Sequence, residues 1–122
     1  MRILRQAGMR YVHRGSLADY DFKTADFNKD GCWHTLDLSA IVPSGAKIVE
    51  IYGAFGHAAN SYWFIMRKHG DTGEYNTGGL ATQVANVIIG GNFMVACDAD
   101  RKVDYLAQVT TYCCISIRGW WI

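Results

Sequence analysis

The chain has 122 residues, of which half are hydrophobic and 19% are charged, and its formal net charge is +1. This length suits one domain with a core of its own, and the small net charge excludes the strongly basic surface that binds a nucleic-acid backbone. A charged fraction this low predicts that part of the apolar surface contacts another protein.

The N-terminal stretch has basic residues but lacks the apolar run of a secretory signal, and no segment approaches the roughly 20 apolar residues of a membrane span. We therefore expect no membrane partner and a chain that is made and kept in a reducing cytosol. The four cysteines include no Cys-x-x-Cys pair, and two of them are adjacent, so on a strand they point to opposite faces. Free thiols are favoured over two disulfides for Cys32, Cys97, Cys113 and Cys114.

Residues 1–18 show little periodicity and carry arginines at positions 2, 5, 10 and 14. We interpret them as an N-terminal arm, with a short strand around Met9–His13, that is available for attachment to another molecule. Residues 19–122 then form the β domain.

The hexapeptide DFNKDG places side-chain oxygens of Asp26, Asn28 and Asp30 at the first, third and fifth positions of a calcium-binding loop. The twelfth position is Asp37, which reaches a cation less well than the usual glutamate and falls in a predicted strand where such a loop would enter a helix. An Asp-Gly turn between two strands accounts for the same residues. The turn is the favoured interpretation, and metal binding by Asp26, Asn28 and Asp30 is the alternative.

The stretch Trp33–Phe55 predicts two strands joined by a turn. Residues 33–38 alternate with a period of two. Residues 43–45, which include the single proline, predict the turn, and Lys47–Phe55 predicts a second and longer strand. We interpret these pieces as an antiparallel β unit around which the rest of the chain is arranged.

A further strand is predicted for residues 61–68, and both of its faces are largely apolar. We expect one face to be covered by a second layer or by a neighbouring subunit, because a solvated outer sheet would be polar on one side. The glycine-rich polar stretch 69–79 is the longest predicted loop and the natural place for recognition. One face of the strand carries Tyr62, Phe64 and Met66, and the other carries Ser61, Trp63, Ile65 and Arg67.

The C-terminal half predicts more strands. Residues 81–89 and 93–98 have strand character, with Gly90-Gly91 as the hairpin turn between them. Residues 102–108 alternate, with Lys102 and Asp104 on the exposed side. In the last strand, Tyr112–Trp121, strict alternation places Trp120 and Trp121 on opposite faces.

About eight strands, spaced near ten residues apart with turn residues between them and no helical period, predict an all-β fold. We expect an antiparallel β-sandwich that is jelly-roll-like.

Several stretches carry a resemblance to a known group of domains. They span roughly residues 10–122 and include the central unit at 33–55, Tyr11–Gly15, Thr82–Asn86 (TQVAN), Val95–Asp98 (VACD), Tyr105 and Arg118–Trp121 (RGWW). In these stretches the chain resembles small uncharacterised β-sandwich domains of bacteriophage and metagenomic origin that accompany virion or tail-fibre genes. The resemblance implies an oligomeric structural or appendage protein, made in the host cytoplasm and located in the virion, and it brings no catalytic motif.

The sequence contains no motif for catalysis or cofactor binding. The four histidines are widely spaced, and neither a nucleophile elbow nor a phosphate-binding glycine loop occurs. Two carboxylates could be chosen as a pair for glycoside cleavage, but nearly any β-sandwich offers such a pair, so their presence does not indicate an enzyme. We therefore expect no enzyme and no cofactor.

Aromatic residues are the stronger functional signal. Tyr62, Trp63, Tyr75, Trp120 and Trp121 would form a platform that stacks on sugar rings. The alternative is that the tryptophans fill the core or a subunit contact, which is favoured for Trp33 and Trp121. The candidate ligand-binding residues, in and beside the loops at 56–60 and 69–79, are Tyr75, Asn76, His57, Asn60, Asp71 and Arg67.

Two functions are consistent with these patterns, and a monomeric small-ligand binder is a third. The first is a structural module of a phage particle that contacts other virion proteins and forms a closed homo-oligomer, with a trimer expected. Its interface would be an apolar strand face containing Trp63, Tyr62, Ile65 and Trp120. The second is a module that binds a carbohydrate or host receptor, with a surface glycan as partner.

Overall fold

The computed structural model describes residues 8–109 and 111–122, and in them eight strands form two four-stranded antiparallel sheets, which we call sheet I and sheet II. A 3-10 turn at Thr24–Asp26 is the helical element of this part of the chain. Among the described residues, no helix is long and apolar enough to cross a membrane. The strands are β1 (Tyr11–His13), β2 (Trp33–Asp37), β3 (Ile48–Gly56), β4 (Trp63–Lys68), β5 (Gly78–Ala81), β6 (Ile89–Ala96), β7 (Lys102–Leu106) and β8 (Tyr112–Trp121).

The strand order is that of a jelly roll. Sheet I has the order β1-β8-β3-β6, and sheet II has the order β2-β7-β4-β5. The first strand therefore pairs with the eighth, the second with the seventh, the third with the sixth and the fourth with the fifth, as in one long hairpin rolled into two layers. The prediction of an all-β, jelly-roll-like antiparallel sandwich of about eight strands is confirmed.

One core fills the space between the sheets, and aromatic rings join the two layers across it. Phe55 of β3 stacks on Phe64 of β4 with ring centroids 4.6 Å apart. Phe27, which precedes β2, meets Phe64 and Tyr105 edge to face at 5.3 and 5.0 Å. Such ring pairs add about 0.5–1.5 kcal/mol each beyond the burial of their area. Aliphatic side chains that surround the rings include Leu38, Val49, Ile51, Met66, Val103, Ile115 and Ile117.

The period of two predicted correctly which residues face this core along several strands. In β2, Leu36 is buried while Thr35 is exposed. In β4, Phe64 and Met66 are buried while Trp63 on the other face is exposed. β8 also has the predicted bounds. These predictions are correct because successive side chains of a strand point to opposite faces, so the buried face can be identified from the alternation of a few neighbouring residues.

The pairing expected for the β unit at 33–55 is wrong. β2 and β3 lie in different sheets, since β2 pairs with β7 while β3 pairs with β6 and β8. The connection between them crosses from one layer to the other and buries Leu38 and Val42 in the core. Alternation specifies the face of each strand but not its partner strand, so consecutive strands can enter separate layers.

The strand predicted at 81–89 and its glycine hairpin are also wrong. β5 already ends at Ala81, residues 82–88 form a loop, and Gly90 and Gly91 lie inside β6. Thr82 is buried where the loop begins, and its hydroxyl donates a 3.0 Å hydrogen bond to the carbonyl oxygen of Ala59. Local β-propensity is overridden here because these tertiary bonds turn the chain.

The segment between residues 11 and 21 is tied to β8. The strand Tyr11–His13 pairs with the end of β8, and the Tyr11 ring lies 4.7 Å from that of Trp121. Arg14 forms an ion pair with Asp21, whose carboxylate also accepts a hydrogen bond from the backbone N–H of Ile117. This part of the predicted arm therefore belongs to sheet I, while residues 1–7 of that prediction lie outside the described residues.

A β-bulge in β8 reverses the alternation predicted for its last residues. The register with β3 shifts between Glu50 and Ile51, which leaves Arg118 without an opposite residue. As a result, Trp120 packs against the core, and Trp121 turns to the Tyr11 ring.

Gly79, in the pairing of β5 with β4, is a position where a side chain cannot fit. Its φ is +149°, and a Cβ atom there would lie 2.1 Å from the carbonyl oxygen of Phe64. We predict that Gly79→Ala lowers the free energy of unfolding by about 1–3 kcal/mol, because an unfavourable φ and a clash with β4 act together. Urea unfolding measures the loss. Gly73→Ala, whose Cβ would meet nothing within 4 Å, is the control, and an equal loss in both variants would contradict the placement of Gly79.

The four cysteines are free thiols, with Cys32 exposed and the other three buried. Burial raises the pKa of the Cys113 thiol to about 12 and also raises the pKa of Cys97. Because the thiolate is the reactive form, we predict that a thiol reagent at neutral pH labels one cysteine rapidly and the other three only on unfolding. Mass spectrometry should find the rapid label on Cys32. A rapid label that survives Cys32→Ser would show that one of the other thiols is accessible.

Candidate functional site

The outer face of sheet II carries two parallel rows of side chains. Each row runs across β2, β7 and β4, with the β7 residue between its two partners. The first row is largely apolar and the second is polar, and both lie on the face opposite the core. The first row is Trp33, Leu106 and Ile65, and the second is Thr35, Asp104 and Arg67.

The Arg67 side chain connects this face to the long loop at 69–77. Its guanidinium carbon lies 3.9 Å from the ring centroid of Trp33, and Nη1 donates a 3.0 Å hydrogen bond to the carbonyl oxygen of Gly73. Its Nε lies 3.9 Å from Oδ2 of Asp104, so that attraction is ionic without a hydrogen bond. Arg67 therefore holds the loop folded back over sheet II.

Asp104 is only 8% exposed, although it was predicted on the exposed side of its strand. Asp104 does lie on the predicted face, but neighbouring side chains cover its carboxylate: Oδ1 accepts hydrogen bonds from His69 Nδ1 at 2.7 Å and from Thr35 Oγ1 at 3.2 Å. The Thr35 hydroxyl lies 3.4 Å from the same Nδ1 atom. In a catalytic triad, the nucleophile and the carboxylate bond to different ring nitrogens. This group anchors the start of the loop and does not have the geometry of an activated nucleophile.

A groove of about 570 Å³ opens between the folded-back loop and the apolar row. Trp63, the first residue of β4, is 55% exposed, and the Tyr75 ring on the loop is fully exposed. The volume is within the range of ordinary small-ligand sites. The groove is lined by Ser61, Tyr62, Trp63, Ile65, Glu74, Tyr75, Leu106 and Gln108.

Ser61, in this lining, has a strained backbone. Its φ of 61° lies in the left-handed region that residues other than glycine rarely adopt. The conformation is held because the Ser61 N–H donates a 2.7 Å hydrogen bond to the carbonyl oxygen of Thr82, whose own N–H donates to Tyr62. Strain of about 1–3 kcal/mol persists only where surrounding contacts enforce it, and strained residues concentrate at binding sites.

The structure brings some of the predicted ligand-binding residues together. Tyr75 lines the groove, and Asp71 and Asn76 lie beside it in a second pocket that Tyr75 also lines. Arg67 lies next to the groove, but its guanidinium is already bonded to the loop and stacked on Trp33.

His57 and Asn60 lie on the connection from β3 to β4 and are not part of the groove lining. The His57 ring stacks on Tyr62 with centroids 3.8 Å apart. Its Nδ1 accepts a hydrogen bond from the N–H of Ala59, so Nε2 carries the proton and donates to the carbonyl oxygen of Val109 at 2.8 Å. The His57 ring therefore links its own loop to the β7–β8 connection, and both of its nitrogens make hydrogen bonds.

Three of the four predicted interface residues share this face. Trp63, Tyr62 and Ile65 all line the groove. Trp120 is separate from them, because the bulge in β8 turns its ring toward the core.

Sequence reasoning missed several residues of the groove. Leu106 was detectable, since the alternation of β7 puts it on the same face as Asp104. Trp33, beside the groove, was expected in the core or a subunit contact, and its position on the outer face beneath the Arg67 guanidinium rules out the core. Glu74 lies in the predicted recognition loop at 69–79 but was not predicted as a ligand-binding residue, and no local pattern indicated Gln108. Both reach the groove only because the loop folds back and the β7–β8 connection lies beside it.

The three candidate metal ligands make hydrogen bonds near their own turn. Asp26 accepts from the backbone N–H of Lys23, and the backbone N–H of Asn28 donates to the Tyr105 hydroxyl. Asp30 accepts from the N–H of Cys32 and from His34, and these two bonds lower the pKa of Asp30. Across residues 8–109 and 111–122, no group of three or more His, Cys, Asp or Glu side chains is placed to hold a metal ion.

No protein-family model matches the chain, and no curated protein matches it. The jelly-roll topology is shared by viral capsid proteins, lectins and cupins, so it does not select among functions. The groove and the surfaces around it carry the functional interpretation.

We predict that Arg67→Met loosens the loop at 69–77, because it removes the hydrogen bond to Gly73 and the charge that faces Asp104. The free energy of unfolding should fall by about 1–3 kcal/mol. Hydrogen exchange across the loop should become faster than in the parent protein. Lys68→Met, at the adjacent exposed position, is the control and should leave both quantities unchanged. Unchanged loop exchange in Arg67→Met would mean that other contacts hold the loop.

Proposed function

We propose that this chain is a recognition module that binds a neutral carbohydrate in the groove lined by Trp63 and Tyr75. The observation that carries the proposal is the exposure of these two rings beside hydrogen-bonding side chains. Aromatic faces pack against the C–H faces of sugar rings, while polar groups at the edge bond to the hydroxyls. Ser61, Glu74 and Gln108 line the groove and supply such groups.

The charge of the groove favours an uncharged sugar. Glu74 is the one charged residue among the described lining residues. The nearby Arg67 guanidinium already donates a hydrogen bond to the Gly73 carbonyl, stacks on the Trp33 ring and forms an ion pair with Asp104. An acidic glycan would therefore bring its negative charge toward a carboxylate without gaining a cation.

The groove is also held in shape before a ligand arrives. Arg67 fixes the loop at Gly73, and Thr82 fixes the connection that carries Ser61. A binding site whose walls are already ordered loses less conformational entropy when the ligand binds.

We predict binding of the protein to neutral oligosaccharides on a glycan array, followed by titration calorimetry with the strongest binder. Tyr75→Ala and Trp63→Ala should each weaken the affinity by at least about tenfold, since removing a stacking ring costs roughly 1.4 kcal/mol. Tyr52→Ala is the control, because this partly exposed ring lies on β3 in sheet I, away from the groove.

Three results would contradict the proposal. They are the absence of binding to neutral bacterial surface glycans, unchanged affinity in both ring variants, and binding restricted to acidic glycans. A loss of affinity in Tyr52→Ala as large as in Tyr75→Ala would place the site elsewhere.

A phage appendage is the setting that we propose for this recognition. The supporting observation is the resemblance of stretches such as 33–55, 82–86 and 118–121 to domains that accompany virion or tail-fibre genes. The partners would then be a bacterial surface glycan and other virion proteins, and the location would be the virion.

A purely structural module of the particle is the second candidate function, and the apolar strip on sheet II favours it. Trp63, Ile65 and Leu106 form a surface that a neighbouring subunit would cover. The two candidates differ in what occupies the groove. Sugar binding that is lost in Trp63→Ala at unchanged molecular mass supports recognition, whereas a loss of oligomer mass without any sugar binding supports the structural role.

A further inference from the structure

A second cavity of about 470 Å³ lies within the long loop, and we call it the loop pocket. Tyr75 lines both the loop pocket and the groove on sheet II, so the two cavities adjoin at this residue. Each volume alone is within the range of a small-ligand site, so a ligand confined to the groove leaves a cavity of comparable size unused. The loop pocket is lined by Gly70, Asp71, Thr72, Gly73, Tyr75 and Asn76.

The Tyr75 ring is placed to contact a ligand from both cavities. It is fully exposed, so both of its faces are open to solvent. Sugar units pack against aromatic rings through their C–H faces. A ring that borders two cavities can therefore contact two neighbouring units of one sugar chain.

The two cavities differ in chemistry. The groove supplies the larger apolar surface, and Tyr75 is the one aromatic ring among the described residues of the loop pocket. The polar side chains of the loop pocket are those of Asp71, Thr72 and Asn76. Among the described residues, none of these three side chains has a hydrogen-bonding partner, so their polar groups are available to a ligand. The groove therefore suits the apolar face of one sugar unit, and the loop pocket suits the hydroxyl groups of the next.

Two anchors hold the loop pocket in shape before a ligand arrives. His69, which precedes the pocket, donates a hydrogen bond to Asp104, and Gly73 accepts the hydrogen bond from Arg67. The space between these anchors is not filled by the protein, because a Cβ atom at Gly70 or at Gly73 would meet nothing within 4 Å. A ligand that enters the pocket therefore has little of the loop left to order.

We propose that the ligand is a neutral oligosaccharide that crosses Tyr75, with one unit in the groove and a neighbouring unit in the loop pocket. This inference rests on the proposed sugar binding and adds the length of the ligand and a second contact region. Asp71 and Asn76 are the residues that select the second unit, because they bond to its hydroxyl groups. Asp71 also adds a carboxylate to that of Glu74, which disfavours a negatively charged unit in either cavity.

The first test is a titration followed by NMR chemical shifts, which also measures weak binding. The probes are the strongest neutral binder of the glycan array as its monosaccharide and as chains of increasing length. Affinity should rise by at least about tenfold between the monosaccharide and the shortest chain that reaches both cavities, because binding of the second unit is then intramolecular. It should change little with further units.

The second test removes polar groups from the loop pocket alone. Asn76→Ala and Asp71→Ala should each weaken binding of the longer chain by about five- to tenfold and leave the affinity for the monosaccharide unchanged. Asn92→Ala is the matched control, since Asn92 is exposed on β6 in sheet I, and it should change neither affinity. Thermal unfolding checks that each variant is folded, and the second variant serves if the first is not.

The inference is overturned, while sugar binding in the groove stands, if the monosaccharide and every longer chain bind equally well. It is also overturned if both loop-pocket variants bind the longer chain like the parent, or if they weaken the monosaccharide and the chain equally. A loss in Asn92→Ala as large as in Asn76→Ala would place the second contact on sheet I. The absence of binding to sugars of any length would overturn the proposed function together with this inference.

Discussion

The stack of Phe55 on Phe64 is the contact on which the rest of the structure depends, because it joins the two sheets at the centre of the core. Phe27 and Tyr105 extend it into an aromatic cluster that fills the space between the layers. Successive residues of a strand point to opposite faces, so turning Phe64 inward turns Trp63 and Ile65 outward. The core therefore determines which side chains are available on the outer face of sheet II.

The outer face of sheet II combines exposed aromatic surface with a rigid polar support. Arg67 lies over Trp33, faces the buried Asp104 and bonds the Gly73 carbonyl, and these contacts bring Tyr75 and Glu74 over the sheet. Exposed rings cost solvation free energy in an isolated domain, and a sugar face or a second subunit would recover it. The polar side chains in the groove lining, Ser61, Glu74 and Gln108, are the reason that we propose a sugar.

The connections between the strands differ in charge. The loops at 57–62, 82–88 and 107–111 have no charged residue in their sequence, whereas the connections at 14–32, 38–47, 69–77 and 97–101 are charged. Both ring nitrogens of His57 make hydrogen bonds that hold two of the uncharged loops together.

The sequence by itself determined the all-β class, the approximate number of strands and the inward or outward face of residues in β2, in β4 and in β8 before its bulge. Each of these is a local property, because the alternation of a strand is visible in five or six neighbouring residues. It also singled out Tyr75, Trp63, Tyr62 and Ile65, which the structure places around one groove. Tertiary structure alone decided that β2 and β3 enter different sheets and that residues 82–88 form a loop. It also decided that β8 bulges at Arg118, which turns Trp120 inward, and that the long loop folds back and brings Glu74 and Gln108 to the same groove. Several of those features depend on hydrogen bonds between residues far apart in the chain, such as Thr82 with Ala59 between two loops, and no local pattern specifies which distant partner a residue will meet. The folded loop depends on the hydrogen bond from Arg67 to Gly73, which the alternation of β4 does not specify.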